Sequence, residues 1–166
     1  MHRSLLISCV VLGIAAAGGA YASKPTVAAQ TAAGADFSAY KTYNWVSTSA
    51  PSGVNPVAFQ QAISDVNAAM AQKGYVQADQ ADLSLVLSAG KENRTAFSTI
   101  GYEVVDESDY IVGKLTLDAF DSKTRQAVWH GQATKRIDPD KINQPAVDAA
   151  VTSMMAKFPA SGAPSQ

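Results

Sequence analysis

The chain has 166 residues, 47% of them apolar and 16% charged, with a formal charge of −1 and a single cysteine. That length accommodates one domain with tails, and the apolar share suffices for a core. One cysteine excludes internal disulfides, multi-cysteine zinc sites and iron–sulfur clusters, and the near-neutral charge lacks the basic excess by which nucleic-acid binders displace counterions.

Met1-His2-Arg3 gives a positive start, residues 4–19 are an almost unbroken run of apolar and small types, and Ala20-Tyr21-Ala22 carries the small-x-small pattern cut by signal peptidase. Residues 1–22 are therefore expected to be a signal peptide, and the mature, exported chain to start at Ser23. Leu6-Ile7-Ser8-Cys9 has the local form of a lipobox, but only about five apolar residues precede the cut it implies, short of the roughly 7–15 of an h-region. Cys9 reads as a small hydrophobe inside the signal, and membrane anchoring is expected only if Cys9 is lipidated.

Residues 23–35 mix small and polar types without a hydrophobic period and read as a flexible segment, as do residues 159–166. Residues 36–158 show no repeat, charge block or change of composition, and read as one domain. Its first strand is predicted at Tyr40-Lys41-Thr42-Tyr43-Asn44-Trp45-Val46, rich in aromatic and β-branched residues. Asn55 before Pro56 signals a helix start, Phe59, Ile63, Val66 and Met70 give it an apolar stripe, and Gly74 sits where a C-terminal cap belongs. From Asp82 the period changes, with Leu83, Leu85 and Leu87 alternating in a half-buried strand.

Residues 90–109 carry no firm pattern beyond a candidate ragged strand at residues 102–105, and Asp106-Glu107-Ser108-Asp109 reads as a solvated turn. Residues 111–120 and 127–137 alternate on either side of a polar turn, the signature of an antiparallel hairpin. Pro145 opens a second helix with Val147, Val151 and Phe158 on its stripe. These patterns predict an α+β fold: an antiparallel sheet of about four strands with two helices packed on one face. The predicted core joins Phe59, Ile63, Val66, Val147, Val151 and Phe158 to Leu83, Leu85, Leu115, Leu117 and Trp129. The opposite sheet face would carry Lys114, Asp118, His130 and Arg136.

The motifs Asp36-Phe37-Ser38-Ala39-Tyr40-Lys41-Thr42-Tyr43-Asn44-Trp45, Lys73-Gly74-Tyr75, Ala81-Asp82-Leu83, Leu115-Thr116-Leu117-Asp118 and Val128-Trp129-His130-Gly131, in that order, resemble the bacterial envelope family known as domain of unknown function 4136. The resemblance covers about residues 36–158. It implies an α+β domain, periplasmic or associated with the outer membrane of a Gram-negative bacterium, and no assigned activity. The usual lipoprotein pattern of that family is not matched, since a well-placed lipobox is missing.

The chemistry available is sparse. His130 is the only histidine beyond the leader, no Gly-x-Ser-x-Gly elbow exists, and Ser88-Ala89-Gly90-Lys91 lacks the loop of a phosphate cradle. His130 pairing with Asp118 across the hairpin makes a weak base at best, and the plainer reading is a cross-strand pair on an exposed strand. Asp118, Asp121 and His130 are a conceivable metal set, but an acid at a hairpin turn commonly bonds its own backbone. Tyr40, Tyr43 and Trp45 suit packing between sheet and helix better than stacking on a ligand. We expect no catalytic residues, metal or cofactor, and a non-catalytic binding or accessory module whose contact surface holds Lys114, Asp118, His130 and Arg136. Its partner is an unidentified envelope protein or small ligand, with no role for nucleic acid. The alternatives are a small hydrolase using His130 and Asp118, and a binder of small apolar ligands if sheet and helices enclose a cavity.

Overall fold

The computed structural model describes residues 24–138 and 144–163; the expected signal peptide lies outside them. Within these residues the first helix, α1 (Pro56–Gln72), starts where its sequence signals put it. The Asn55 side chain accepts a hydrogen bond from Ala58 N at 3.0 Å, and Pro56 fills a position whose N–H would have no helical partner. Gly74 closes the helix in the left-handed region at φ 86°, letting Tyr75 N reach back to Met70 O at 3.0 Å. The second helix, α2, spans Gln144–Met155.

Six strands form one sheet: β1 (Thr26–Thr31), β2 (Thr42–Trp45), β3 (Val76–Gln77), β4 (Leu83–Ile100), β5 (Glu103–Asp121) and β6 (Ala127–Ile137), in the order β1-β6-β5-β4-β2-β3. The α+β class holds, but the sheet is larger than four strands and mixed. β1, β6, β5 and β4 run antiparallel, whereas β2 pairs parallel with both β4 and β3. The parallel pairing follows from α1, which carries the chain across between β2 and β4 as parallel strands require.

Two segments expected to be flexible are built into the fold. Within residues 23–35, β1 pairs with β6 from Thr26↔Thr134 to Thr31↔Trp129. It is an edge strand of small residues whose hold is the backbone ladder, so it has little hydrophobic signal to read. At the other end, Ser161 N donates to Lys73 O at 2.9 Å, Ser161 Oγ to Tyr40 O at 3.0 Å and Gly162 N to Phe37 O at 3.1 Å. Residues 159–163 thus strap the end of α1 to the loop before β2.

The predicted core forms between the helices and one sheet face. Phe59, Ile63, Val66, Val151, Phe158, Leu83, Leu85, Leu117 and Trp129 are buried, while Leu115 and Val147 pack against them only partly covered. Phe158 is the hub: the rings of Phe37, Tyr75 and Trp129 meet it edge-on at centroid distances of 5.8, 5.8 and 4.8 Å. Tyr43 is a core residue too and Trp45 packs against it partly buried, and both spend their polar tips on one acceptor, Asn67 Oδ1 of α1, at 3.0 and 2.9 Å.

Candidate contact surface

Strand alternation leaves the sheet face opposite the helices to the other residue set. Across it, register aligns Gln30, His130, Asp118 and Val86 in one row, Ala28, Gln132, Thr116 and Ser88 in the next, and Thr26, Thr134, Lys114 and Gly90 in a third. Both helices lie on the other side, so among the described residues no helix covers this largely polar plane, four strands wide.

The predicted surface residues fall into two groups. His130 Nδ1 and Asp118 Oδ1 are 2.6 Å apart, with side chains 45% and 26% exposed. Arg136 is three rows away, about 20 Å along the strand, where its guanidinium lies 4.6 Å from the centre of the Tyr110 ring. Lys114 occupies the row next to Arg136, so these two cations mark the basic end of the face and the acid–histidine pair the other. Val112, between Glu92 and Arg136 in register, is buried even on this open face.

No serine, threonine or cysteine among the described residues hydrogen-bonds to His130, and none of these residues forms a group of three or more His, Cys, Asp or Glu placed to hold a metal. Asp121, the third conceivable ligand, is spent on its turn: Oδ1 accepts from Lys123 N and Thr124 N at 2.8 Å each, and Oδ2 from Tyr40 Oη at 3.0 Å. These bonds, the Thr124 amide first, hold its carboxyl below the usual range. Burial, helped by the Asp121 carboxylate, pushes the Tyr40 phenol up to about 12.

The segment that sequence left without a pattern is the largest departure. Residues 90–109 continue β4 and β5 as one antiparallel ladder to Ile100↔Glu103, with a single register shift between Ser98 and Thr99, and turn at Gly101 with φ 64°. Strand β5 starts at Glu103 rather than Tyr102, and Asp106-Glu107-Ser108-Asp109 lies in that strand, where Thr95 Oγ1 donates to Asp109 Oδ1 at 2.8 Å. Because β6 stops opposite Ile111, residues 94–110 stand beyond the rest of the sheet as a two-stranded ribbon. Phe97 and Tyr102 on it are exposed. A ribbon without a buried face has no alternation to display, which is why periodicity missed it.

The model for a domain of unknown function (DUF4136) matches residues 27–160. The chain belongs to the DUF4136 family. Solved structures share its fold: a DUF4136 protein from Bacteroides thetaiotaomicron, 15% identical with a TM-score of 0.53, aligns over 81% of this chain and 96% of its own. The PelC dodecamer from Paraburkholderia phytofirmans is 15% identical with a TM-score of 0.54, over 82% of this chain and 99% of that one. A PDZ-domain protein from Parabacteroides distasonis, 11% identical with a TM-score of 0.52, aligns over 82% of this chain but 36% of its own length. No curated protein matches. Among the described residues of this DUF4136 chain, no helix is long and apolar enough to cross a membrane.

Proposed function

We propose that this DUF4136 protein is an exported, non-catalytic module of the cell envelope that works by contact, and that its partners are further copies of the same chain. The ribbon of residues 94–110 carries the reading. An isolated two-stranded hairpin is marginally stable in water, and this one also holds Phe97 and Tyr102 exposed at 61% and 107%. Docking against a neighbour covers both. Charge supports a head-to-tail arrangement: the β5 arm of the ribbon carries Glu103, Asp106, Glu107 and Asp109, whereas the basic end of the polar face carries Lys114 and Arg136. Contacts between unlike surfaces close into rings when the rotation allows, and the dodecameric state named for PelC, which shares the fold, supports copies of the chain as partners.

Light scattering on the full chain, purified from the envelope, tests this. A mass of several protomers is expected, falling to one protomer in the Phe97→Ser/Tyr102→Ser variant and shrinking with added salt. A monomer in the wild type at micromolar concentration, or an assembly indifferent to the ribbon variant, overturns it.

A further inference from the structure

On the helix-bearing face, the sheet changes character toward the ribbon. Register stacks Leu87, Leu117 and Gly131 in one row, Ala89, Leu115 and Ala133 in the next, and Lys91, Gly113 and Lys135 in the third. The helix wall opposite is small as well, with Ala58 of α1 and Ala146, Val147 and Ala150 of α2. Short side chains on both walls leave an open cleft of about 620 Å³ between sheet and helices. Leu115 and Val147 are only partly buried because they line it.

The mouth of this cleft is basic. Lys91 and Lys135 flank Gly113 in one row, two strand spacings or about 10 Å apart at the backbone. Glycine between them keeps the row low: a Cβ at Gly113 would lie 3.1 Å from Ile137. Neither lysine forms an ion pair with a described residue, and the described lining carries Lys91, Lys114 and Lys135 against one acid, Asp138. Alternation assigns the Lys114 side chain to the opposite face, so among the described residues the mouth has two cations, Lys91 and Lys135, and one acid, Asp138.

We propose that this cleft binds an anionic single-chain amphiphile, with the acyl chain along Ala89, Leu115, Ala133, Val147 and Ala150 and the acidic head between Lys91 and Lys135. The volume lies in the range of roughly 300–1,000 Å³ common for small-molecule sites, which pair apolar walls with a few convergent polar groups. A wholly apolar ligand would desolvate the lysines without pairing them; an acid satisfies both. The site is independent of the contacts proposed for the ribbon, which lies beyond the Lys91 row.

Calorimetric titration of the delipidated full protein with octanoate, decanoate, dodecanoate and dodecyl phosphate, each below its micelle concentration, tests the proposal. One site per chain is expected whatever the oligomeric state, with affinity rising roughly two- to fourfold per added methylene. Neutral decyl glucoside should bind about fivefold more weakly than decanoate, or worse, and inorganic phosphate should give no signal. Lys91→Met/Lys135→Met should erase the preference of decanoate over decyl glucoside while leaving the neutral ligand unaffected. Ala89→Leu and Ala150→Leu should each fill the cleft and weaken both ligands. No binding by the wild type, equal affinity for decanoate and decyl glucoside, or binding that survives in a leucine variant with native circular dichroism overturns the proposal.

Discussion

Thr42 and Asp82 clasp each other across the parallel pair β2–β4. Thr42 Oγ1 donates to Asp82 Oδ2 and accepts from Asp82 N, both at 2.9 Å, while the same carboxylate oxygen accepts the backbone amides of Lys41 at 2.9 Å and Thr42 at 3.1 Å. One side chain thus fixes where β2 enters the sheet, beside Tyr43↔Leu83. The Lys41-Thr42 and Ala81-Asp82-Leu83 motifs that carried the family resemblance meet here in space.

Asp82→Ala is expected to destabilise the fold by about 1–2 kcal/mol, since it strips two amides and a hydroxyl of their acceptor. The Lys41 amide bond, more than any other contact, lowers the Asp82 carboxyl pKa. A folded pKa below the unfolded one means stability is full above about pH 4 and is lost as pH falls through the folded value. Denaturant midpoints measured from pH 7 to pH 2 should show less acid loss in Asp82→Asn than in the wild type.

Asp65 has the opposite sign. Burial, reinforced by Asp148 of α2, raises its carboxyl pKa, and its Oδ2 has no hydrogen-bond partner. A folded pKa above the unfolded one makes the ionised group a cost at neutral pH that protonation relieves. Asp65→Asn should therefore stabilise the protein, by about 1 kcal/mol at pH 7, with the gain vanishing below pH 4. An unchanged midpoint at pH 7 would remove the α1–α2 repulsion from the account.

The helices, the β5–β6 hairpin and the core were legible because each buries one side: Phe59, Ile63, Val66 and Met70 on α1, and Leu83, Leu85 and Leu87 on β4, recur at the period their structure imposes. What escaped had nothing to bury. β1 holds on through backbone pairing opposite Gly131 and Ala133, the strap at Ser161 through three hydrogen bonds, and the ribbon through its own ladder. The cross-strand pair of Asp118 and His130 was readable from alternation, whereas the cleft was not, because it arises where small residues of five elements coincide. Asn67 also went unseen; a single polar residue next to an apolar helical stripe gives no sign that two aromatic tips converge on it.

Gly131 and Trp129 should be inseparable. A Cβ at Gly131 would fall 2.0 Å from the Trp129 ring, which also meets the Phe158 ring at a centroid distance of 4.8 Å. Gly131→Ala is expected to cost about 1–3 kcal/mol by displacing a buried indole, and Phe158→Ala about 3–5 kcal/mol by emptying the aromatic hub. Denaturant melts with the Trp129 fluorescence environment as readout check both; native-like midpoints in either variant would contradict the packing described.

Export is decided by mass. If residues 1–22 are a cleaved leader, protein recovered from the envelope should begin at Ser23, with a mass lower by that of the leader. An acylated N-terminal Cys9 would instead establish a lipid anchor, and a retained leader would argue against cleavage.

His130 offers the sharpest division between contact and catalysis. Its ring faces Asp118 on an open sheet plane with 45% of its side chain exposed, and among the described residues no serine, threonine or cysteine hydrogen-bonds to it, whereas an acyl- or phosphoryl-transfer centre requires a nucleophile, oxyanion donors and excluded water. His130→Ala removes one half-exposed pair, so its stability loss should stay within about 1 kcal/mol. A panel of ester, phosphoester, peptide and glycoside substrates, run on wild type and variant side by side, is expected to give the same background rates for both. Turnover that is robust in the wild type and lost in folded His130→Ala would convert the pair into a catalytic one and displace the contact-module reading.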